Sequence, residues 1–242
     1  MLKNYLTKEF NIGINDCDNN LNLTLSALQK FLCETSMHHA ELMEFGYNTL
    51  KTSGLMWVIS DMEIHINQTP QFMDNITITT YPLEPKVIST ERVFDVFNSK
   101  KQKIAYAIST WCVLNETTRR PVKISAVPHK DPKYKTSEYA KQKFEFCDKS
   151  CLKKIGVADV FLSDLDANNH MNNTKYTTKI LDCLSPEEFK NLKPKTVQLK
   201  FIREVKYGSK LEISKYESQS KIYFEIKNTT TNEVAFEAII EQ

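Results

Sequence analysis

Asp164-Leu165-Asp166-Ala167-Asn168-Asn169-His170-Met171-Asn172-Asn173 crowds carboxylates, carboxamides and one imidazole into a single polar stretch. So polar a segment has little to give a hydrophobic core. It is followed by Tyr176, Ile180, Cys183 and Leu184, whose spacing marks one face of a helix. The polar turn therefore stands at a helix start, where unpaired backbone N–H groups and the positive end of the helix dipole favour any oxygen that gains negative charge. We read it as a candidate active site. Asn and Asp also bond their own backbone in turns and caps, so the same composition would suit a plain helix cap.

Working outward, Val157 to Leu162 reads as a strand before the turn and Asn173 to Leu184 as the helix after it. Strands follow at Lys195 to Val205, Lys210 to Glu217, Lys221 to Lys227 and Glu233 to Ile240, the last two joined across Asn228 to Asn232 as in a hairpin. The first half has the same order. A strand-like start at Tyr5 to Ile14 precedes a long amphipathic helix over Thr24 to Phe45, with Leu25, Leu28, Leu32, Thr35, His39, Leu42 and Met43 on one face. Val58, Ser60, Met62, Ile64 and Ile66 then alternate with Asp61, Glu63 and His65, and further strands are expected at Ile76 to Tyr81, Val87 to Phe97 and Ile104 to Leu114.

One strand, one helix and four antiparallel strands, written twice, predict an α+β fold of two tandem units, each a long helix wrapped by a curved antiparallel sheet. The expected division is an N-terminal unit over 1–125, a linker over 126–155 and a C-terminal unit over 156–242. Between the units Pro121, Pro128 and Pro132 mix with lysines and apolar periodicity fades, with a short helix expected near Ser137 to Phe146. The first unit shows no counterpart of the Asp-Asn-His turn, so one copy is expected to keep chemistry and the other to form a wall.

Composition bounds the alternatives. Charged residues are 26% and apolar residues 41% of 242, an ordinary globular balance. The net charge of +2 gives no whole-chain field for nucleic acid. No run approaches a membrane-spanning length, and Met1 to Phe10 lacks a signal-peptide apolar block, which together suggest the cytoplasm. Reduced thiols are expected for Cys17, Cys33, Cys112, Cys147, Cys151 and Cys183, which form no Cys-x-x-Cys pair. His38, His39, His65 and His129 lack metal-ligand spacing, and five glycines leave no phosphate loop, so no metal or other cofactor is expected.

The stretch Asp164 to Tyr176, together with Phe201-Ile202-Arg203-Glu204, Thr118-Arg119-Arg120-Pro121-Val122-Lys123-Ile124 and Trp57-Val58-Ile59-Ser60-Asp61-Met62, resembles acyl-acyl-carrier-protein thioesterases, double hot-dog enzymes that end fatty acid synthesis. The resemblance covers nearly the whole chain and implies a thioester hydrolase releasing free fatty acid, with catalytic residues Asp166, Asn168, His170 and Glu204 and an acyl-chain pocket in the first unit. Thioester hydrolysis needs an activated water and donors for the carbonyl oxygen as it becomes an oxyanion. Glu204 could activate water; Asn168, His170 and helix-start N–H groups could hold the oxyanion; Asp166 could fix its neighbours or attack directly as a nucleophile. On residue type alone, Glu204 would be a solvated position on its strand.

The sequence departs from many family members at Val205, where a cysteine often follows the glutamate, so a Cys-His-Asn mechanism has no thiol there. Cys183 is the nearest alternative, and an apolar-face cysteine is most often core. An acidic acyl carrier protein would dock on basic residues such as Arg119, Arg120, Lys123, Lys149, Lys153 and Lys154. Leu28, Leu32, Met43, Met62 and Ile64 are candidate walls for its acyl chain. Rival readings are an acyl-coenzyme A thioesterase, a hot-dog enoyl-thioester hydratase and a non-catalytic acyl-binding protein. The hydratase pattern places a proline where Asn169 stands, with the His one residue later. A homodimer is compatible with this reading.

Overall fold

The computed structural model describes residues 4–127 and 134–242, so Pro128, His129 and Pro132 lie outside the described residues. Strand β1 (Leu6–Asn11) leads through a 3-10 turn at Ile14–Asp16 into helix α1 (Leu25–Leu42). Thr24 caps α1 by accepting the Ala27 N–H, and Leu25, Leu28, Phe31, Leu32, Thr35 and His39 are buried. The helix stops where Glu44 takes a left-handed backbone (φ 55°) and the Phe45 N–H bonds back to the Ala40 carbonyl. That ending leaves Leu42, expected on the buried face, 63% exposed, while Met43 stays buried.

A short helix α2 (Tyr47–Thr52) follows, then strands β2 (Leu55–Ile66), β3 (Asn75–Pro82), β4 (Ser89–Asn98) and β5 (Lys103–Asn115). They pair antiparallel in the order β1-β3-β4-β5-β2. Val87 and Ile88, expected to open β4, are exposed and precede it. The candidate wall residues Leu28, Leu32, Met43, Met62 and Ile64 are all buried in this unit.

The second unit holds β6 (Lys153–Asp159), a 3-10 turn at Leu162–Asp164, α3 (Asn173–Asp182), α4 (Pro186–Asn191), β7 (Thr196–Phe201), β8 (Lys210–Ser218), β9 (Lys221–Asn228) and β10 (Glu233–Glu241). Its sheet order, β6-β8-β9-β10-β7, repeats that of the first unit: first, third, fourth, fifth and second strand. The α+β repeat read from periodicity is therefore also a repeat of topology. Its helices differ in length, 18 residues in α1 against 10 in α3.

The chain divides into compact units Met1–Lys141 and Gln142–Gln242, a division that falls inside the segment expected as linker. No helix forms over Ser137 to Phe146; the segment runs as coil, because its side chains find partners on the sheets instead. On the first unit, Lys135 lies over the rings of Tyr5 and Tyr81, and Tyr139 stacks on Tyr106, which stacks on His65, with centroids 4.1 and 4.3 Å apart. The Tyr139 hydroxyl donates to Asp95, and Lys141 bonds Asp61 and Thr110. Beneath this strap, Tyr81, Val93 and Ile108 form a buried cluster against Leu83 and Tyr139. On the second unit, Phe144 packs under Lys200, Phe146 meets Tyr223 edge-on, and Lys149 pairs with Glu225 and Glu237 at 2.7 and 2.8 Å.

Candidate active site

The polar turn is shaped by one carboxylate. Asp166 Oδ1 accepts the N–H groups of Asn168 at 2.8 Å and His170 at 3.3 Å, while the Asp166 N–H donates to the His170 carbonyl at 2.8 Å. Closing the loop this tightly puts Asn169 in the left-handed region (φ 60°), which Asn tolerates better than most residues. Met171 is buried and its N–H donates to the Val205 carbonyl at 2.8 Å. Asn172 then caps α3, its Oδ1 accepting from the Thr174 N–H and hydroxyl.

Below the turn, Asp164 is buried and its carboxylate receives the Phe161 N–H at 3.0 Å and Lys179 Nζ at 3.1 Å, with Lys175 at 3.7 Å. Burial alone would raise its pKa; the Phe161 N–H and the two lysines outweigh it and hold the carboxyl below the usual range. Asp164 stood in the quoted stretch with no assigned role. Its signal was an acidic residue ahead of a helix carrying lysines.

Glu204 does not lie on a strand. β7 ends at Phe201, because the Ile202 and Arg203 N–H groups both turn to the carbonyl of Ala235, the residue that the β9–β10 register skips as a bulge. The chain leaves the sheet there, and the Met171–Val205 bond ties the loop back to the polar turn. Glu204 Oε2 consequently comes 3.5 Å from His170 Nε2, with the two side chains 34% and 15% exposed. The separation is that of an ion-pair contact and is longer than a good hydrogen bond. Tyr176, buried on α3, donates its hydroxyl to the Arg203 carbonyl at 3.3 Å and steadies the same loop.

Of the predicted residues, Asp166, Asn168 and His170 share one turn, and Glu204 joins His170 across the loop. The expected oxyanion donors at the helix start are largely committed elsewhere: the N–H groups of Asn168, Asn169, His170, Met171, Asn172, Thr174 and Lys175 all have acceptors within this turn or its flanking loop.

The first unit does have a counterpart of this turn, contrary to expectation. Asp18 Oδ1 accepts the N–H groups of Asn20 at 2.8 Å and Asn22 at 2.9 Å, and the Asp18 N–H donates to the Asn22 carbonyl at 2.8 Å. Leu21 is left-handed (φ 61°), Leu23 donates to the Pro70 carbonyl at 2.8 Å, and Thr24 supplies the cap. Asp16 closes its 3-10 turn through the Gly13 N–H as Asp164 does through that of Phe161. Even the strand exit recurs, with Asn67 and Gln68 both donating to the Ile104 carbonyl. In this correspondence His170 falls on Asn22 and Glu204 on Thr69. Both turns share the pattern Asp-x-Asp-x-Asn, at Asp16-Asp18-Asn20 and Asp164-Asp166-Asn168, and the first lacks the histidine.

Val205 is buried at 1% exposure, and it is its carbonyl that serves the turn. Cys183 packs its Sγ over Gly156, where an added Cβ would sit only 2.5 Å away; burial, then Asp182, pushes its thiol pKa up, against any role as nucleophile. His39 is buried with its Nδ1 2.9 Å from Arg92 Nη1, and His65 meets Glu63 at 2.6 Å. Among the described residues, no group of three or more His, Cys, Asp or Glu side chains is placed to hold a metal ion. Of the basic candidates, Lys149 and Lys154 are already in ion pairs and Arg119 is half-buried with Nη1 against Met56 Sδ. Arg120, Lys123 and Lys153 are exposed.

Comparison with known proteins gives the same outline. The family model of the acyl-ACP thioesterase N-terminal domain matches residues 3–127, and that of the C-terminal domain matches residues 151–241. An oleoyl-acyl carrier protein thioesterase of Coriandrum sativum is 24% identical over 221 residues, 84% of this chain and 58% of the relative. A chloroplastic acyl-[acyl-carrier-protein] hydrolase of Cuphea viscosissima is 25% identical over 205 residues, 78% of this chain and 49% of its own length. The chain thus spans about half the length of the curated relatives it matches. An acyl-ACP thioesterase from Bacteroides thetaiotaomicron superposes with a TM-score of 0.85 at 23% identity, covering 98% of this chain and 97% of that one. The 12:0-ACP thioesterase of Umbellularia californica gives 0.83 at 18% identity, covering 100% and 98%. These likenesses show the double hot-dog fold.

Proposed function

Because this chain belongs to the acyl-ACP thioesterase family, we propose that it hydrolyses fatty acyl thioesters of acyl carrier protein and releases free fatty acid, the closing step of fatty acid biosynthesis. The observation that carries the reading is the His170–Glu204 pair, held 3.5 Å apart on a turn whose backbone recurs in the first unit without either side chain. A binding protein has no use for that addition.

In the proposed reaction, Glu204, the more exposed partner, takes a proton from water as the water oxygen attacks the thioester carbonyl carbon. The Asn168 carboxamide and the His170 imidazole stabilise the oxyanion. Collapse breaks the C–S bond, and the departing sulfur takes the proton that Glu204 gained from water, which restores the carboxylate. The division of labour is proposed as acyl chain in the first unit, 1–125, and chemistry in the second, 156–242; Asn22 and Thr69, in place of His170 and Glu204, support it.

An acidic carrier protein would meet the exposed Arg120, Lys123 and Lys153. A cytoplasmic setting is supported by six free thiols, which suit a reducing compartment. Among the described residues no helix is long and apolar enough to cross a membrane.

The test compares release of free thiol from acyl carrier protein and from coenzyme A bearing the same acyl groups, with His170→Ala as the control. Faster turnover on the carrier protein is expected. A preference for coenzyme A would keep the hydrolase and discard the carrier, and no thiol from either substrate would overturn the proposal.

A further inference from the structure

We infer that Asp166 is a positioning residue, whose carboxylate builds the turn that aims His170, and that the attacking oxygen comes from water and not from Asp166. The inference rests on the thioesterase reading for its chemical half and on the internal repeat for its structural half. Asp18 makes the same bonds in the first unit: one carboxylate oxygen accepts the N–H two residues on (2.8 Å, as for Asp166) and the N–H four residues on (2.9 Å against 3.3 Å). Both loops place the next-but-two residue in the left-handed region, φ 61° at Leu21 and φ 60° at Asn169.

Around Asp18 the positions of the catalytic partners are filled by Asn22 and Thr69, which offer neither an imidazole nor a second carboxylate. A carboxylate retained where there is no chemistry to perform is there for the backbone. Its physical reason is visible: without an acceptor, two N–H groups of a tight, half-buried loop lose their partners, and the left-handed residue loses the bonds that hold it. For Asp166 to attack a thioester, the oxygen that does the bonding would either surrender those two N–H groups or attack while they draw on its electron density. In the water route Asp166 forms and breaks no covalent bond: the new C–O bond is to water oxygen, the C–S bond breaks, and the proton removed from water passes to Glu204 and from it to the departing sulfur.

The experiment uses the full chain with Asp166→Asn, Asp166→Ala, Asp18→Asn and Asp18→Ala. An asparagine Oδ1 still accepts both N–H groups, yet it is no carboxylate nucleophile. Asp166→Asn is therefore expected to keep kcat within about tenfold of the parent, and Asp166→Ala to lose about a hundredfold or more in kcat with a smaller change in KM. Both Asp18 variants are expected to keep the parental kcat. Melting temperature gives the contrast without any substrate: each alanine variant falls below its asparagine partner, in both units. Acid-quenched single turnovers examined by mass spectrometry should show no acyl group on Asp166.

An Asp166→Asn protein that folds normally and is as inactive as Asp166→Ala would overturn the inference, as would an acyl adduct on Asp166. If the parent chain released thiol from no substrate, the thioesterase reading would fail, and the melting contrast alone would still decide whether Asp166 builds the turn.

Discussion

The turns at Asp18–Thr24 and Asp166–Asn172 match in their backbone bonds and in the two N–H groups that each Asp carboxylate accepts, though Thr24 caps through the N–H three residues on and Asn172 through that two residues on. They differ at the two positions proposed for chemistry, Asn22 against His170 and Thr69 against Glu204. Backbone and function are therefore separable here. The turn is a structural device that either unit needs in order to start its helix, and two side chains convert one copy into a candidate for hydrolysis.

The sharpest way to break this comparison is to make the second turn resemble the first. His170→Asn should lower thioester turnover by roughly 10² to 10⁴ while the melting temperature stays close to that of the parent. Glu204→Thr should cost roughly 10² or more in the same thiol-release assay. The two together should cost little beyond the worse single change, since groups that act as a unit are not additive. A Glu204→Thr protein with full turnover would refute the water-activating role.

Smaller effects concern stability. Val205→Ala should destabilise by about 2 kcal/mol in urea titration, since it removes buried methyl groups, yet leave kcat nearly intact because the turn uses its carbonyl. Thr24→Ala and Asn172→Ala should each cost about 1 kcal/mol as equivalent caps. Asp164 adds a dependence on pH. Its carboxyl is held below the usual range, so its contribution is present above about pH 3.9, the unfolded value, and is lost as pH falls through the lower folded value. The stability gap between the parent and Asp164→Asn should accordingly be widest near neutrality and close in acid.

The repeat was legible in the sequence because strand and helix periods survive in both halves, from Val58–Ile66 through Tyr176 and Ile180. The site was legible as far as the polar turn. What stayed hidden depends on distant partners. Glu204 leaves the sheet because of the Ala235 carbonyl on β10, and the strap over 134–141 is coil because Tyr106, Tyr81 and Asp61 engage its side chains. The first-unit turn is hard to read for another reason: it has no imidazole, and only its Asp and Asn positions are shared with the second. Helix α4 had its full local signature in Ser185, Pro186 and Glu188, a capping box with proline at the first turn, and could have been read.

The strap over the first sheet also decides where that unit can be cut. Tyr81, Val93 and Ile108 are dry because Tyr139 and its neighbours cover them. A fragment ending at residue 125 would bare that patch and is expected to clump on expression, whereas one ending at Lys141 carries its own cover and is the better starting point for producing the unit alone.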